Sequence, residues 1–415
     1  MRRARPAGAR PARVAAPARA NAVDFDIGGA VVVRARDASP ADVGLLSREL
    51  GGVGREPVGK PDLVVCFVDD IASRDPELID DGSMAHGAGG LYFLSESGRA
   101  IAHTRRGRAW GRQIIVCRRG LKHVPSLSSA VDLVALARGW IPLHASGWIH
   151  EGVGFVATGG AGSGKTGALV AACRHGAVPL GDDRILLSAD GRSMVGVGGS
   201  INLRDWHQTQ LALPHVRFGA GRRMLAKLGT AIGRTTRARN GTAKADTLMA
   251  SFAARGVAGV RRRLDMELAL ERLGNDGGVR GRPDILLVLE KRPRHGISAE
   301  RIDEHAAVAR IAAEVEAELR PGLGQHRAQR LQGRDYGWRD VHRAPEIAAL
   351  LLHRALRGKP VYVVTHPPEC CMDELHDLMV SLPRRDDPVD GADAAGSPRY
   401  EGPGQGGMPI RPVHA

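Results

Sequence analysis

The stretch Gly159-Gly160-Ala161-Gly162-Ser163-Gly164-Lys165-Thr166 constrains this chain more than any other. Its glycines let the backbone curl so that successive amides point inward at an anion. A lysine and a threonine follow the last glycine, which completes the spacing of a phosphate-binding loop. The apolar run Gly154–Ala157 enters the loop, and an Ala- and Leu-bearing segment from Lys165 to about His175 leaves it, stopped by Gly176. The helix so predicted turns its positive end to the same anion. Strand, loop, Lys-Thr and helix together predict binding of a nucleoside triphosphate. Lys165 would reach the β- and γ-phosphates, and the Thr166 hydroxyl would be a ligand for Mg²⁺.

Two hairpins are expected around the loop. Gly147–His150 and Gly154–Ala157 read as strands joined by a Glu151–Gly152 turn, and Ile185–Ser188 and Ser193–Val197 pair around Asp190-Gly191. Antiparallel pairing on both sides sets the region apart from the usual parallel phosphate-loop sheets. Asp182 follows Lys165 by 17 residues, room for one helix and a short return, so Asp182 and Asp183 are expected beside the phosphates. Without the loop, the pair would read as a turn before a strand.

The series His144-Ala145-Ser146, hairpin, Gly159–Thr166, helix and Asp182-Asp183 resembles the catalytic domain of HPr kinase/phosphorylase. It is closer still to the divergent HPr-kinase-like serine kinases, whose fold is shared with phosphoenolpyruvate carboxykinase. Gly198-Gly199-Ser200-Ile201-Asn202 partly matches the later signature of that family, and the clear resemblance spans about Leu143 to Asp205. It implies an α/β protein: a P-loop kinase domain with a mixed, largely antiparallel sheet, preceded by a smaller α/β region. It implies ATP as the nucleotide and transfer of its γ-phosphate to a serine-like hydroxyl of a protein, peptide or small molecule. It further implies that one of Asp182 and Asp183 accepts the hydroxyl proton while the other holds Mg²⁺ with Thr166. The working assignment gives the base to Asp182 and the metal to Asp183. His144 would orient an aspartate or contact the γ-phosphate, and Asn202 and Arg204 would contact nucleotide or acceptor. The family places a Glu after the loop Ser/Thr, where this chain has Gly167, and an Arg in the later signature, where Gly196 stands. Those regions handle the acceptor and the reverse, phosphorolytic reaction, so a kinase with an acceptor other than HPr is expected. HPr kinases assemble as ring-shaped homo-oligomers, which the sequence leaves open here. A P-loop ATPase or ATP-dependent switch without an acceptor is the competing reading.

The rest of the chain divides around this region. Residues 1–21 are an Arg-, Pro- and Ala-rich tail without a signal-like apolar stretch. An accessory α/β region is expected over 22–136, with strands at Ala30–Val33, Leu63–Phe67, Leu91–Leu94 and Gln113–Cys117 and helices at Ala41–Leu50 and Ser128–Arg138. The catalytic region is expected over 137–383 and a disordered tail over 384–415. Past the hairpins, Pro283–Leu289 and Val361–Val364 read as strands, and Ala299–Leu319, Glu346–Leu356 and Asp373–Ser381 as helices. Between them lies a basic insertion, His215–Arg282, with fifteen Lys and Arg against five Asp and Glu, so it carries most of the net charge of +14. Helices are expected there at Leu225–Ile232 and Arg261–Leu273. Two phenylalanines, Phe218 and Phe252, are the aromatics of the segment, too few to interleave regularly with its arginines, which argues against nucleic acid as a partner. Five cysteines without zinc or redox spacing predict reduced thiols and a cytoplasmic protein, and nothing approaches a membrane span.

Overall fold

The computed structural model describes residues 21–72, 77–79, 82–87, 90–105, 113–203, 262–265, 280–293, 296–331 and 341–383. Both predicted tails, the predicted helix Leu225–Ile232, Arg204 and most of the basic insertion lie outside the described residues. The chain is mixed α/β, with several mixed or antiparallel sheets.

An eight-stranded sheet comes first: β1 Ala22–Ile27, β2 Val31–Arg36, β3 Leu63–Val68, β4 Glu77–Ile79, β5 Met84–Gly87, β6 Gly90–Leu94, β7 Ala100–Arg105 and β8 Gln113–Arg118. Their order across the sheet is β1-β2-β3-β8-β7-β6-β5-β4, parallel only at β2–β3 and β3–β8. Helix α1, Pro40–Leu50, begins at a reciprocal cap. The Asp42 amide donates to Ser39 Oγ, the Ser39 amide donates to Asp42 Oδ2 at 2.9 Å, and Pro40 occupies a first-turn position that needs no amide.

Helix α2, Leu127–Ala137, links this sheet to the remainder. Leu127, Ala130, Val131, Val134 and Ala135 face the first core, while Leu133 and Leu136 enter the second. Being buried on both sides, it is apolar nearly all round. Leu186, Val195 and Val197 join the first core from the other side, so packing crosses the 136/137 boundary.

The second part opens with β9 Trp140–Leu143, β10 Ala145–His150 and β11 Val153–Thr158. Helix α3, Lys165–Arg174, follows, then β12 Val178–Gly181, β13 Ile185–Ser188, β14 Met194–Gly196, β15 Ser200–Leu203, β16 Arg262–Asp265 and β17 Arg280–Gly281. It continues through β18 Ile285–Lys291, β19 Ser298–Ile302, helix α4 Glu304–Leu331, helix α5 Ala344–Leu356, β20 Val361–His366 and helix α6 Met372–Ser381. The central sheet runs β12-β10-β11-β18-β20-β19, parallel only at β11–β18 and β18–β20. Its inner strands are continuous apolar runs because both faces are covered. Leu286 and Val288 pack toward α4 and α5, while Ile285, Leu287 and Leu289 pack toward α3 and α6. Four strands, β17-β14-β13-β9, make an antiparallel sheet beside it, and β15 pairs with β16. Gly154 in β11 has to be glycine: a Cβ there would lie 1.8 Å from the Arg282 carbonyl oxygen.

Both hairpins around the loop form in the expected antiparallel register. Three expectations are corrected. Arg262–Asp265, expected inside a helix over Arg261–Leu273, is a strand, because it pairs antiparallel with β15. Ala299–Ile302, expected to open a helix, is most of β19, held along β20. The helix begins after it, where the Asp303 carboxylate accepts from the Ala306 amide at 2.8 Å. That helix also runs on past Leu319 to Leu331 with Pro321 inside it. Packing on α2 overrides the proline: Leu319 and Leu323 reach the core, and Ser126 Oγ donates to Gln325 Oε1 at 2.6 Å.

Candidate active site

The phosphate-loop segment lies where the central sheet delivers it. β11 ends at Thr158, whose hydroxyl donates to the His144 carbonyl at 3.2 Å, and the backbone then turns through Gly159–Gly164 into α3. Gly162 and Gly164 have φ of 81° and 108°, which L side chains rarely adopt. The loop residues Ala161–Gly164 line a cavity of about 660 Å³, together with Lys165, Thr166, Asp182 and Asp183. The opposite wall comes from the first region, through Arg48 and Glu49 at the end of α1 and His123 before α2.

Lys165 folds back over its own loop. Its Nζ donates to the carbonyl oxygens of Gly159 at 2.5 Å and Gly160 at 3.0 Å, and the side chain is buried. Burial lowers its pKa, opposed by the carboxylates of Asp183, Glu314, Asp182 and Glu318. An ammonium buried against its own loop carbonyls, on a residue that lines the cavity, is suited to a phosphate that arrives with the ligand.

Asp182 and Asp183 follow β12, which pairs with β10 and so returns the chain to the loop. The two carboxylates differ. Asp182 is buried and accepts from Ser146 Oγ at 2.6 Å and from Thr166 Oγ1 at 3.2 Å. Asp183 takes a left-handed backbone, φ 65°, and its side chain is 43% exposed, enough to meet a molecule entering the cavity. His144 Nε2 lies 3.9 Å from Asp183 Oδ1, and His144 Nδ1 lies 3.1 Å from Glu318 Oε1 on α4. The hydrogen bond from His144 holds the Glu318 carboxyl below its usual range despite burial. Beside this chain of groups, Arg184 lies 3.3 Å from Asp132 on α2.

The structure thus brings together Lys165, Thr166, Asp182, Asp183 and His144. Sequence reasoning missed Glu318, Arg184 and His366, and assigned no role to Ser146. His366, at the end of β20, touches the loop from below: Nε2 is 2.7 Å from the Ser163 carbonyl oxygen. The Asn202 backbone lies in β15. Among the described residues, no group of three or more His, Cys, Asp and Glu is arranged to hold a metal unaided. Mg²⁺ keeps waters and substrate phosphates as most of its ligands, so a hydroxyl and one carboxylate are a fitting oxygen donor set for it. No helix among the described residues is long and apolar enough to cross a membrane. A scan of protein-family models finds none that matches the chain, and a search of curated proteins likewise finds no match.

Proposed function

We propose that this chain is an ATP-dependent kinase that transfers the γ-phosphate of Mg²⁺·ATP to a serine-like hydroxyl of a protein, peptide or small molecule. One observation carries the reading. The Thr166 hydroxyl meets a buried carboxylate, Asp182, while a second carboxylate, Asp183, stands half-exposed next door, 3.9 Å from a His144 ring that is hydrogen-bonded to Glu318. A nucleotide-holding loop needs only the first; two carboxylates in such different surroundings support a divided task of metal holding and proton acceptance. The hairpin before the loop and the mixed central sheet are consistent with the P-loop domain of the HPr-kinase-like enzymes that the sequence resembles.

The geometry favours the reverse of the working assignment. Thr166 and Asp182 would hold Mg²⁺, since they already touch and lie against the start of α3. Magnesium supplies neutralisation of charge at the phosphate oxygens. Asp183, open to the cavity, takes the proton of the acceptor hydroxyl as that oxygen forms its bond to the γ-phosphorus. The bond between the γ-phosphorus and the bridging oxygen breaks, and ADP leaves with that electron pair. His144, anchored on Glu318, keeps Asp183 oriented, and Lys165 shifts from its loop carbonyls to the phosphates.

Binding of Mg²⁺·ATP and phosphate turnover, measured on the same variants, test the division. Asp183→Asn should keep Mg²⁺-dependent affinity and lose turnover by roughly 10²–10⁴-fold, the usual contribution of a positioned base. Asp182→Asn should lose the gain in affinity that Mg²⁺ provides. Full Mg²⁺-dependent binding in Asp182→Asn would defeat the assignment.

A further inference from the structure

We infer that His366 positions the phosphate loop for nucleotide, an inference that rests on the nucleotide reading above. The ring is fully buried under the loop. Its Nε2 lies 2.7 Å from the Ser163 carbonyl oxygen, and its Nδ1 lies 2.8 Å from the Pro367 carbonyl oxygen and 3.3 Å from Cys370 Sγ.

These partners decide where the ring proton sits. A carbonyl oxygen only accepts, so the ring nitrogen that carries the hydrogen is the one that can bond to one. Both nitrogens face a carbonyl, but Nδ1 has a second partner, the Cys370 thiol, which burial pushes up and so keeps as a donor. With the hydrogen on Nε2, that nitrogen donates to Ser163 and Nδ1 accepts from Cys370. With it on Nδ1, Nε2 would face the Ser163 carbonyl with no hydrogen between them. The tautomer that gives both nitrogens a hydrogen bond is therefore the one in which Nε2–H donates to Ser163.

The consequence for the loop follows from peptide geometry. The Ser163 carbonyl and the Gly164 amide belong to one planar trans unit and point in opposite directions. Holding the carbonyl down onto His366 therefore turns the Gly164 N–H up toward the cavity, where a phosphate oxygen would accept it. Gly164 is fitted to the same contact: a Cβ there would lie 2.8 Å from His366 Nε2. His366 acts through the loop and touches no reacting atom, so it is a positioning residue.

Two substitutions separate positioning from packing. Glutamine places an amide N–H where Nε2 stands and can still reach Ser163; asparagine is too short and reaches only toward Pro367. Affinity for Mg²⁺·ATP is measured by calorimetry on wild type, His366→Gln and His366→Asn, with thermal unfolding alongside. His366→Asn should bind about five- to tenfold more weakly, the loss of one buried hydrogen bond, and His366→Gln within about twofold of wild type. Wild-type affinity in both variants would overturn the inference, as would equal losses that track a common fall in melting temperature. A wild type that binds no Mg²⁺·ATP would overturn the nucleotide reading and this inference with it. Should both variants fail to fold, ¹⁵N spectra of histidine-labelled wild type decide. A slowly exchanging Nε2–H close to the Gly164 α-protons is expected, and an unprotonated Nε2 at that position would overturn the proposal.

Discussion

Replacing Asp132 by asparagine should make the protein more stable near neutral pH, although it removes half of an ion pair. The Asp132 side chain is almost wholly enclosed on α2, 3.3 Å from Arg184. Burial pushes its carboxyl up to about 6 against an ordinary 3.8; Arg184 opposes the rise and Glu318 adds to it. Between those two values the folded state binds more protons than the unfolded state. Stability therefore falls as pH rises through that window, and the whole cost is present above it. A shift of about two units at about 1.36 kcal/mol each makes that cost roughly 3 kcal/mol. The attraction of Arg184 is already inside this figure, because it is one of the contributions to the shift. Asparagine resembles the protonated acid, so wild type and Asp132→Asn should nearly coincide at about pH 4. By pH 7.5 the variant should lead by up to roughly 3 kcal/mol. Urea denaturation at a series of pH values measures the difference directly. A difference that does not change with pH, or a variant less stable at pH 7.5, would refute the reasoning.

Three other outcomes are expected. Glu318 is held below its usual range by His144, so its carboxylate adds stability above its unfolded value of 4.5 and loses it as pH falls through the folded value. Glu318→Gln should therefore lose less stability than wild type on acidification from pH 6 to 3, followed by urea midpoints. Gly154→Ala would push a Cβ to 1.8 Å from the Arg282 carbonyl oxygen, and forcing β11 from β18 should cost roughly 1–3 kcal/mol or more in urea denaturation. Lys165→Ala should abolish measurable Mg²⁺·ATP binding in calorimetry while leaving thermal unfolding close to wild type, because the ammonium bonds to carbonyls of its own loop and ties it to no other element by these bonds.

How much of this was legible in the sequence depended on how local each feature is. The phosphate loop, the helix after it and the two hairpins are written in contiguous residues, and Asp182-Asp183 lie one helix and one short strand beyond Lys165. Glu318 was out of reach, because only the packing of α4 on α2 and β9 brings it to His144, and a single Glu on a long helix has no signature. His366 was hidden likewise: it stands two residues past the expected strand Val361–Val364, and its contact is with Ser163 across the sheet. Where propensity misled, tertiary pairing was the cause. Arg262–Asp265 joins β15 and Ala299–Ile302 joins β20, edges that periodicity within either segment does not announce. The helix expected to end at Leu319 runs on through Pro321, because contacts with α2 hold it; a Cβ at Gly322, for example, would lie 3.2 Å from the Ser129 Cβ.

The central claim is transfer of a phosphoryl group to a hydroxyl, and label from γ-labelled Mg²⁺·ATP tests it most directly. Fractionated extract of the source organism supplies acceptors, with wild type run beside Lys165→Ala and Asp183→Asn. The account predicts label in a specific fraction that both substitutions abolish, stable to the neutral hydroxylamine that cleaves acyl phosphates. Release of free phosphate with no labelled acceptor would contradict it and leave an ATPase in its place.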